Sequence, residues 1–158
     1  VTDREELKRL VVVESALGAV GTGAPPAELP WREPVEIMVR RPRDTLGAHP
    51  SVIPLSVTHR HRSRAVLRWS ETVLGILTDA GSEGERRGVA LRGLVAYVNG
   101  ALQLEQPGSP ACEGTVAISA LAAEEFPLRA ATARRARSVD VEREFFGGLA
   151  ALLRGLTP

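Results

Sequence analysis

The stretches EGERRGVALRGLVAYVNGALQL, residues 83–104, and SVDVEREFFGGLAALLRGL, residues 138–156, decide the fold. The first contains no proline, yet it carries Gly88, Gly93 and Gly100, each costing about 1 kcal/mol relative to Ala in a helix interior. The second places Gly147 and Gly148 in the same way. Something must offset that cost. Gly93, Ala96 and Gly100 recur at three- and four-residue steps, as do Gly147 or Gly148, Ala151 and Gly155. Each helix therefore carries a stripe of small side chains along which another helix can approach closely. Two copies of the pair make a four-helix bundle, so the stripes point to a homodimer; close packing inside one subunit is the competing reading.

Working outward, Ser82 and Glu85 have the spacing of a capping box that opens the first helix, which ends before Pro107. Ser138 is the expected N-cap of the last helix. Asp140 and Glu142 favour its N-terminal dipole end, and Arg154 the other. Between the two, Gln106–Gly114 is rich in Pro and Gly and reads as a linker. A short apolar turn around Val116–Leu121 follows, and Pro127 opens a helix to about Arg137. At the other end of the chain, Thr2 and Glu5 form a further capping box, predicting a helix from Asp3 to about Val20. Its stripe is Leu7, Leu10, Val11, Leu17 and Val20, with Gly21 stopping it in the left-handed conformation. Gly21–Pro30 is a loop. A second helical pattern runs from Trp31 towards Gly47, with Pro34 in its first turn. Pro42 lies in its interior, where proline removes a hydrogen bond and clashes with the Met38 carbonyl at a cost of about 3 kcal/mol, so a kink or break is expected. His49-Pro50 ends that helix, Pro50 opens a short one to about Val57, and a longer one carries Leu67, Ser70, Val73, Leu74 and Leu77 to Gly81. No period-two pattern of strand length occurs. The expected fold is an all-α helical bundle.

The chain has 158 residues, with 20 Lys+Arg against 19 Asp+Glu, a net charge of +1. That fits one domain, or one domain with a short arm, and disfavours a strongly basic nucleic-acid binder as a description of the whole chain. Lys8 is the only lysine; the many Arg and Ala and few aromatics read as the codon habit of a GC-rich genome. Cys112 alone makes neither an internal disulfide nor a thiolate zinc cage, which argues against a secreted disulfide scaffold. No apolar run approaches the ~20 residues that span a bilayer, and the first residues do not resemble a signal peptide. A soluble, cytoplasmic protein with no membrane partner is expected. The abrupt entry into a helix at Val1 suggests that something precedes it.

Catalytic signatures are missing: no Gly-x-Ser-x-Gly elbow, no phosphate loop, no dinucleotide fingerprint, no His-Glu-x-x-His. Cys112 has no basic neighbour to activate it and reads as an ordinary thiol. His59 and His61 lack a third ligand, and a solvated loop is their simplest reading. Arg60, Arg62, Arg64 and Arg68, like Arg134, Arg135 and Arg137, are dense enough to attract phosphates. They have no interleaved aromatics and have acidic neighbours, so a solvated helix face is the plainer account. No acid, base or nucleophile constellation can be named, so neither an enzyme nor a cofactor or metal is expected. The middle helices supply bulky groups, among them Met38, Leu46, Ile53, Leu55, Trp69 and Val73. A helix kinked at Pro42 leaves a concavity with Ser56, Ser70, Thr72 and Asn99 as polar candidates, unless the core packs shut.

Several pieces, in order, resemble a known family. The opening Val1-Thr-Asp-Arg-Glu-Glu-Leu is similar to the junction between the DNA-reading helix and the fourth helix of tetracycline-repressor (TetR) family regulators. Trp31-Arg-Glu, Ala48-His49-Pro50, Val95-Ala-Tyr-Val-Asn-Gly100, Glu124-Glu-Phe-Pro-Leu-Arg and Phe145-Phe-Gly-Gly-Leu-Ala-Ala-Leu-Leu-Arg-Gly-Leu156 resemble that family's regulatory domain, in its tetracycline-repressor-like C-terminal class. The resemblance implies a helical domain that binds a small effector between its middle helices and dimerises through its two long C-terminal helices. Residues 1–20 would be the helix connecting to an N-terminal helix-turn-helix head not contained in this chain, and residues 21–158 the effector-binding and dimerisation domain. By position the effector site would comprise Val20, Met38, Pro42, Ser56, Trp69, Ser70 and Val73, and the dimer interface Gly93, Ala96, Gly100, Gly147, Gly148, Ala151 and Gly155. Val20, Met38 and Ser56 stand where tetracycline-binding members hold the drug and its magnesium with polar and histidine side chains. A largely apolar effector is therefore implied, and neither tetracycline nor Mg²⁺. Operator DNA would be a partner only through the head. A stand-alone helical ligand- or protein-binding module is the alternative.

Overall fold

A computed structural model describes residues 4–105, 117 and 124–156, and within them seven α-helices. No strand occurs among the described residues. Helix α1 spans Arg4–Gly18, α2 Arg32–Gly47, α3 Ile53–His59 after a 3₁₀ turn at Pro50–Val52, α4 Arg64–Asp79 and α5 Gly84–Leu104. The last two are α6, Pro127–Ala136, and α7, Val141–Gly155. Helix α2 packs against α1, α4 and α5; α1 also meets α3 and α4; α7 lies along α5. One apolar core runs through the assembly, with Val35, Met38, Val39, Val73, Leu94, Leu149 and Leu153 fully buried.

Helix α4 shows how local chemistry sets these positions. Ser63 precedes it in extended conformation and its Oγ accepts from Val66 N at 3.3 Å. Glu14 of α1 reaches across to accept from Ala65 N at 3.1 Å, satisfying a second orphan donor and tying α1 to the start of α4. At the other end Gly81, φ 90°, closes a Schellman turn in which Ser82 N donates to Leu77 O and Gly81 N to Thr78 O.

Five expectations change. Helix α1 stops at Gly18 through tight turns, Ala19 N to Ala16 O and Val20 N to Leu17 O, and Gly21 is not left-handed. Leu17 and Val20 are buried, but Leu7 is 56% and Val11 61% exposed, so among the described side chains the stripe is buried only at its C-terminal end. The second helix does not break at Pro42 but continues to Gly47. Ser82 and Glu85 form no capping box: Gly84, φ 54°, leads the chain into α5 from Glu83, and Ser82 is buried in the preceding turn. Ser138 does not cap the last helix. Its Oγ donates to Arg135 O at 2.8 Å, closing the end of α6, and Asp140 takes the N-cap position of α7. Thr2 of the first capping box, the linker Gln106–Gly114 with Cys112, and the apolar turn Val116–Leu121 other than helical Ala117 lie outside the described residues.

Candidate functional site

The local chemistry of Pro42 explains both the continuity of α2 and the position of a cavity beside it. Proline has no N–H, so in a regular helix the carbonyl four residues earlier, that of Met38, is left without its donor. Trp69 of α4 supplies one: its indole Nε1 donates to Met38 O at 2.7 Å. The bond is buried and fixes α2 against α4 at one register. The loop after α1 is held on the same side, where Arg41 Nη1 donates to Gly21 O and Gly23 O and Thr72 Oγ1 donates to Thr22 O.

Between these elements lies a largely apolar cavity. Leu17 and Val20 line it from α1 and the turn after it, Pro42 and Leu46 from α2, Ala65, Val66 and Trp69 from α4, and Val95 and Val98 from α5. Its polar lining is Ser56 of α3, Arg60 just beyond α3, and Asn99 of α5. Ser56 Oγ donates to Ile53 O at 2.8 Å, which leaves its lone pairs as acceptors. The cavity leaves about 60 Å³ open to a water-sized sphere. Pockets that enclose drug-sized ligands usually hold about 300–1,000 Å³, so such a ligand fits only if the walls separate.

Arg43, next to Pro42, turns to the opposite side of α2. Its Nε is 3.2 Å from both carboxylate oxygens of Glu105, at the end of α5, and its Nη1 is 3.4 Å from Glu142 in the first turn of α7. The guanidinium lies over Phe145, 4.5 Å from the ring centre. A wall of the cavity and the end of α7 are thus joined through one largely buried side chain.

The structure brings Val20, Pro42, Ser56 and Trp69 together around this cavity. Met38, Ser70 and Val73 do not line it: Met38 and Val73 are fully buried core, and Ser70 is half-buried on α4. Sequence reasoning extended the site from Trp69 towards the C-terminus of α4, whereas the lining continues to Ala65 and Val66. Helical side chains lean over the turn N-terminal to their own Cα, and that lean was the available signal. Arg60, which in sequence belongs to a basic stretch suited to a solvated face, lines the cavity. The small residues of α5 and α7 divide between two faces. A Cβ on Gly93 would meet Leu152 at 3.9 Å, and one on Gly148 would strike the Tyr97 ring, with Cζ at 3.2 Å. Gly100, Gly147 and Gly155 have nothing within 4 Å, and Ala96 and Ala151 are exposed.

Comparison with known proteins places this arrangement. The family model described as tetracyclin repressor-like, C-terminal domain, matches residues 24–158. The chain belongs to that family. Among solved structures, apo ActR from Streptomyces coelicolor is 24% identical at a TM-score of 0.78, over 98% of this chain and 74% of that one. The TetR family protein ActR in complex with actinorhodin is 22% identical at a TM-score of 0.77, over 98% of this chain and 76% of that one. ActR in complex with (S)-DNPA is 25% identical at a TM-score of 0.79 with the same coverages. No curated protein matches the sequence. Among the described residues, no helix of this TetR-family domain is long and apolar enough to cross a membrane, and no group of three or more His, Cys, Asp or Glu is placed to hold a metal ion.

Proposed function

We propose that this TetR-family domain binds a small-molecule effector in the α1–α5 cavity, pairs with a second copy through α5 and α7, and thereby regulates transcription. The observation that carries the reading is that a single apolar cavity is walled at once by α1 and by α5. A ligand larger than the existing space moves those walls. It shifts the population towards the enlarged state only by the difference in its affinity for the two states. In this reading α1, displaced at Leu17 and Val20, changes the spacing of two helix-turn-helix heads that precede the paired domains, and with it their match to operator half-sites. The ligand-bound ActR structures support the choice of a binding function over catalysis.

The outward face formed by Ala96, Gly100, Gly147, Ala151 and Gly155 is the surface we assign to the dimer. Gly93 and Gly148 belong instead to the contact between α5 and α7 inside one chain. The coding sequence immediately upstream of Val1 tests the reading: a helix-turn-helix is expected there, and an initiator codon at Val1 would leave a stand-alone ligand-binding module. Sedimentation equilibrium at micromolar concentration is expected to give a dimer, and a monomer would overturn the pairing.

A further inference from the structure

Among the described residues Arg60 is the only formally charged side chain lining the α1–α5 cavity, and no carboxylate lines it. Among the described residues none pairs with Arg60 either. Arg40 and Arg43, by contrast, are both matched with Glu142, and Arg43 with Glu105 as well. The carboxylate of Glu14 on α1 is engaged by Ala65 N at the start of α4. Of the remaining polar lining, Ser56 presents acceptor lone pairs, its proton being engaged by Ile53 O, and Asn99 can donate. Asn99 is half-buried and makes no side-chain hydrogen bond among the described residues, so its amide N–H groups remain available. The rest of the wall is Leu, Val, Pro, Ala and Trp.

From this we infer that the ligand of the cavity is an apolar molecule carrying one acidic group, whose body lies among Leu17, Val20, Leu46, Trp69 and Val98 and whose anion is held by Arg60. A neutral ligand would fill the same apolar space but leave the guanidinium without a counter-charge. A cationic ligand would be repelled by Arg60. Arginine suits the role because its planar fork meets a carboxylate or sulfonate with two parallel hydrogen bonds. Arg60 is exposed, placing the acidic end at the mouth of the cavity.

The inference rests on the cavity being a ligand site, and one experiment separates the two. The Trp31→Phe protein has Trp69 as its only tryptophan. Its emission is followed during titration with anionic 1-anilinonaphthalene-8-sulfonate and with neutral N-phenyl-1-naphthylamine. Both probes are expected to quench Trp69 saturably, the sulfonate binding about tenfold more tightly, the scale of one charge-assisted contact. Adding Arg60→Met should abolish that preference by weakening the sulfonate alone, and Arg60→Lys should keep part of it. Unchanged thermal melting would show that the variants remain folded, as an exposed position implies. Equal affinities for the two probes, or a preference that survives Arg60→Met, overturns the acidic-ligand inference while leaving the cavity as a site. Failure of both probes to quench Trp69 overturns the cavity reading itself.

Discussion

At position 42 the fold depends on a hydrogen bond that the helix cannot make for itself. Because Trp69 donates to the Met38 carbonyl that Pro42 leaves open, the two residues should be energetically coupled. Trp69→Phe is expected to destabilise the protein, including the roughly 1–3 kcal/mol cost of a buried carbonyl without a donor. In a Pro42→Ala background the restored N–H serves that carbonyl, and the same Trp69 substitution should cost about 1 kcal/mol less. Urea unfolding of the four proteins checks this, and simple additivity would show that the indole bond contributes nothing. Tyr97 is a second such point. Its hydroxyl donates to Phe145 O at 2.5 Å and its ring covers Gly148. Gly148→Ala therefore overpacks the α5–α7 contact and should cost about 1–3 kcal/mol in the same assay. Burial is the largest influence on the Tyr97 phenol and raises its pKa above 10.0, with the Glu105 and Glu144 charges adding to it. A raised pKa in the folded state means the contribution is complete below pH 10 and is lost as pH rises through the folded value. Tyr97→Phe should flatten the fall in melting temperature above pH 10.

Among the elements, α2 has two faces with different partners. Pro42 and Leu46 look into the cavity, while Arg43 joins α5 to α7 through Glu105 and Glu142. Glu105 stands at the C-terminal end of α5, where a negative charge opposes the helix dipole, so the Arg43 guanidinium offsets a local penalty as well as bridging elements. Arg43→Met removes one partner of a largely buried pair and should destabilise by about 3 kcal/mol in urea unfolding. Removing the exposed partner, by Glu142→Gln, should cost under about 1 kcal/mol. The helices themselves were legible in the sequence because three- and four-residue spacing and proline positions act locally: Pro50 and Pro127 open helical turns where expected. Caps were less legible. Ser82 and Ser138 have suitable side chains, but the backbone path through Gly84 and the closing turn of α6 puts Glu83 and Asp140 in the cap positions. The cavity was half legible. Pro42, Ser56 and Trp69 lie in the helices expected to form it, but which neighbours complete the wall depends on how five helices meet, and Arg60 and Val95 carry no local sign of that.

At the scale of the whole molecule, the small residues of α5 and α7 divide between those packed inside one chain and those on the face we propose for association. Gly147 is exposed and a Cβ there meets nothing, so Gly147→Leu leaves the contacts within one chain intact. In sedimentation velocity it should convert the proposed dimer to monomer with no loss of helicity, and a dimer unchanged by the substitution would move the interface elsewhere. The central claim, that the cavity between α1 and α5 holds a small molecule, is tested most directly by native mass spectrometry of the protein purified from cells, beside an Ala65→Leu variant whose longer side chain fills the cavity. The predicted result is one small molecule per protomer in the wild type and none in the variant. A wild type that carries no molecule, or a folded variant that carries it at equal occupancy, would contradict the account.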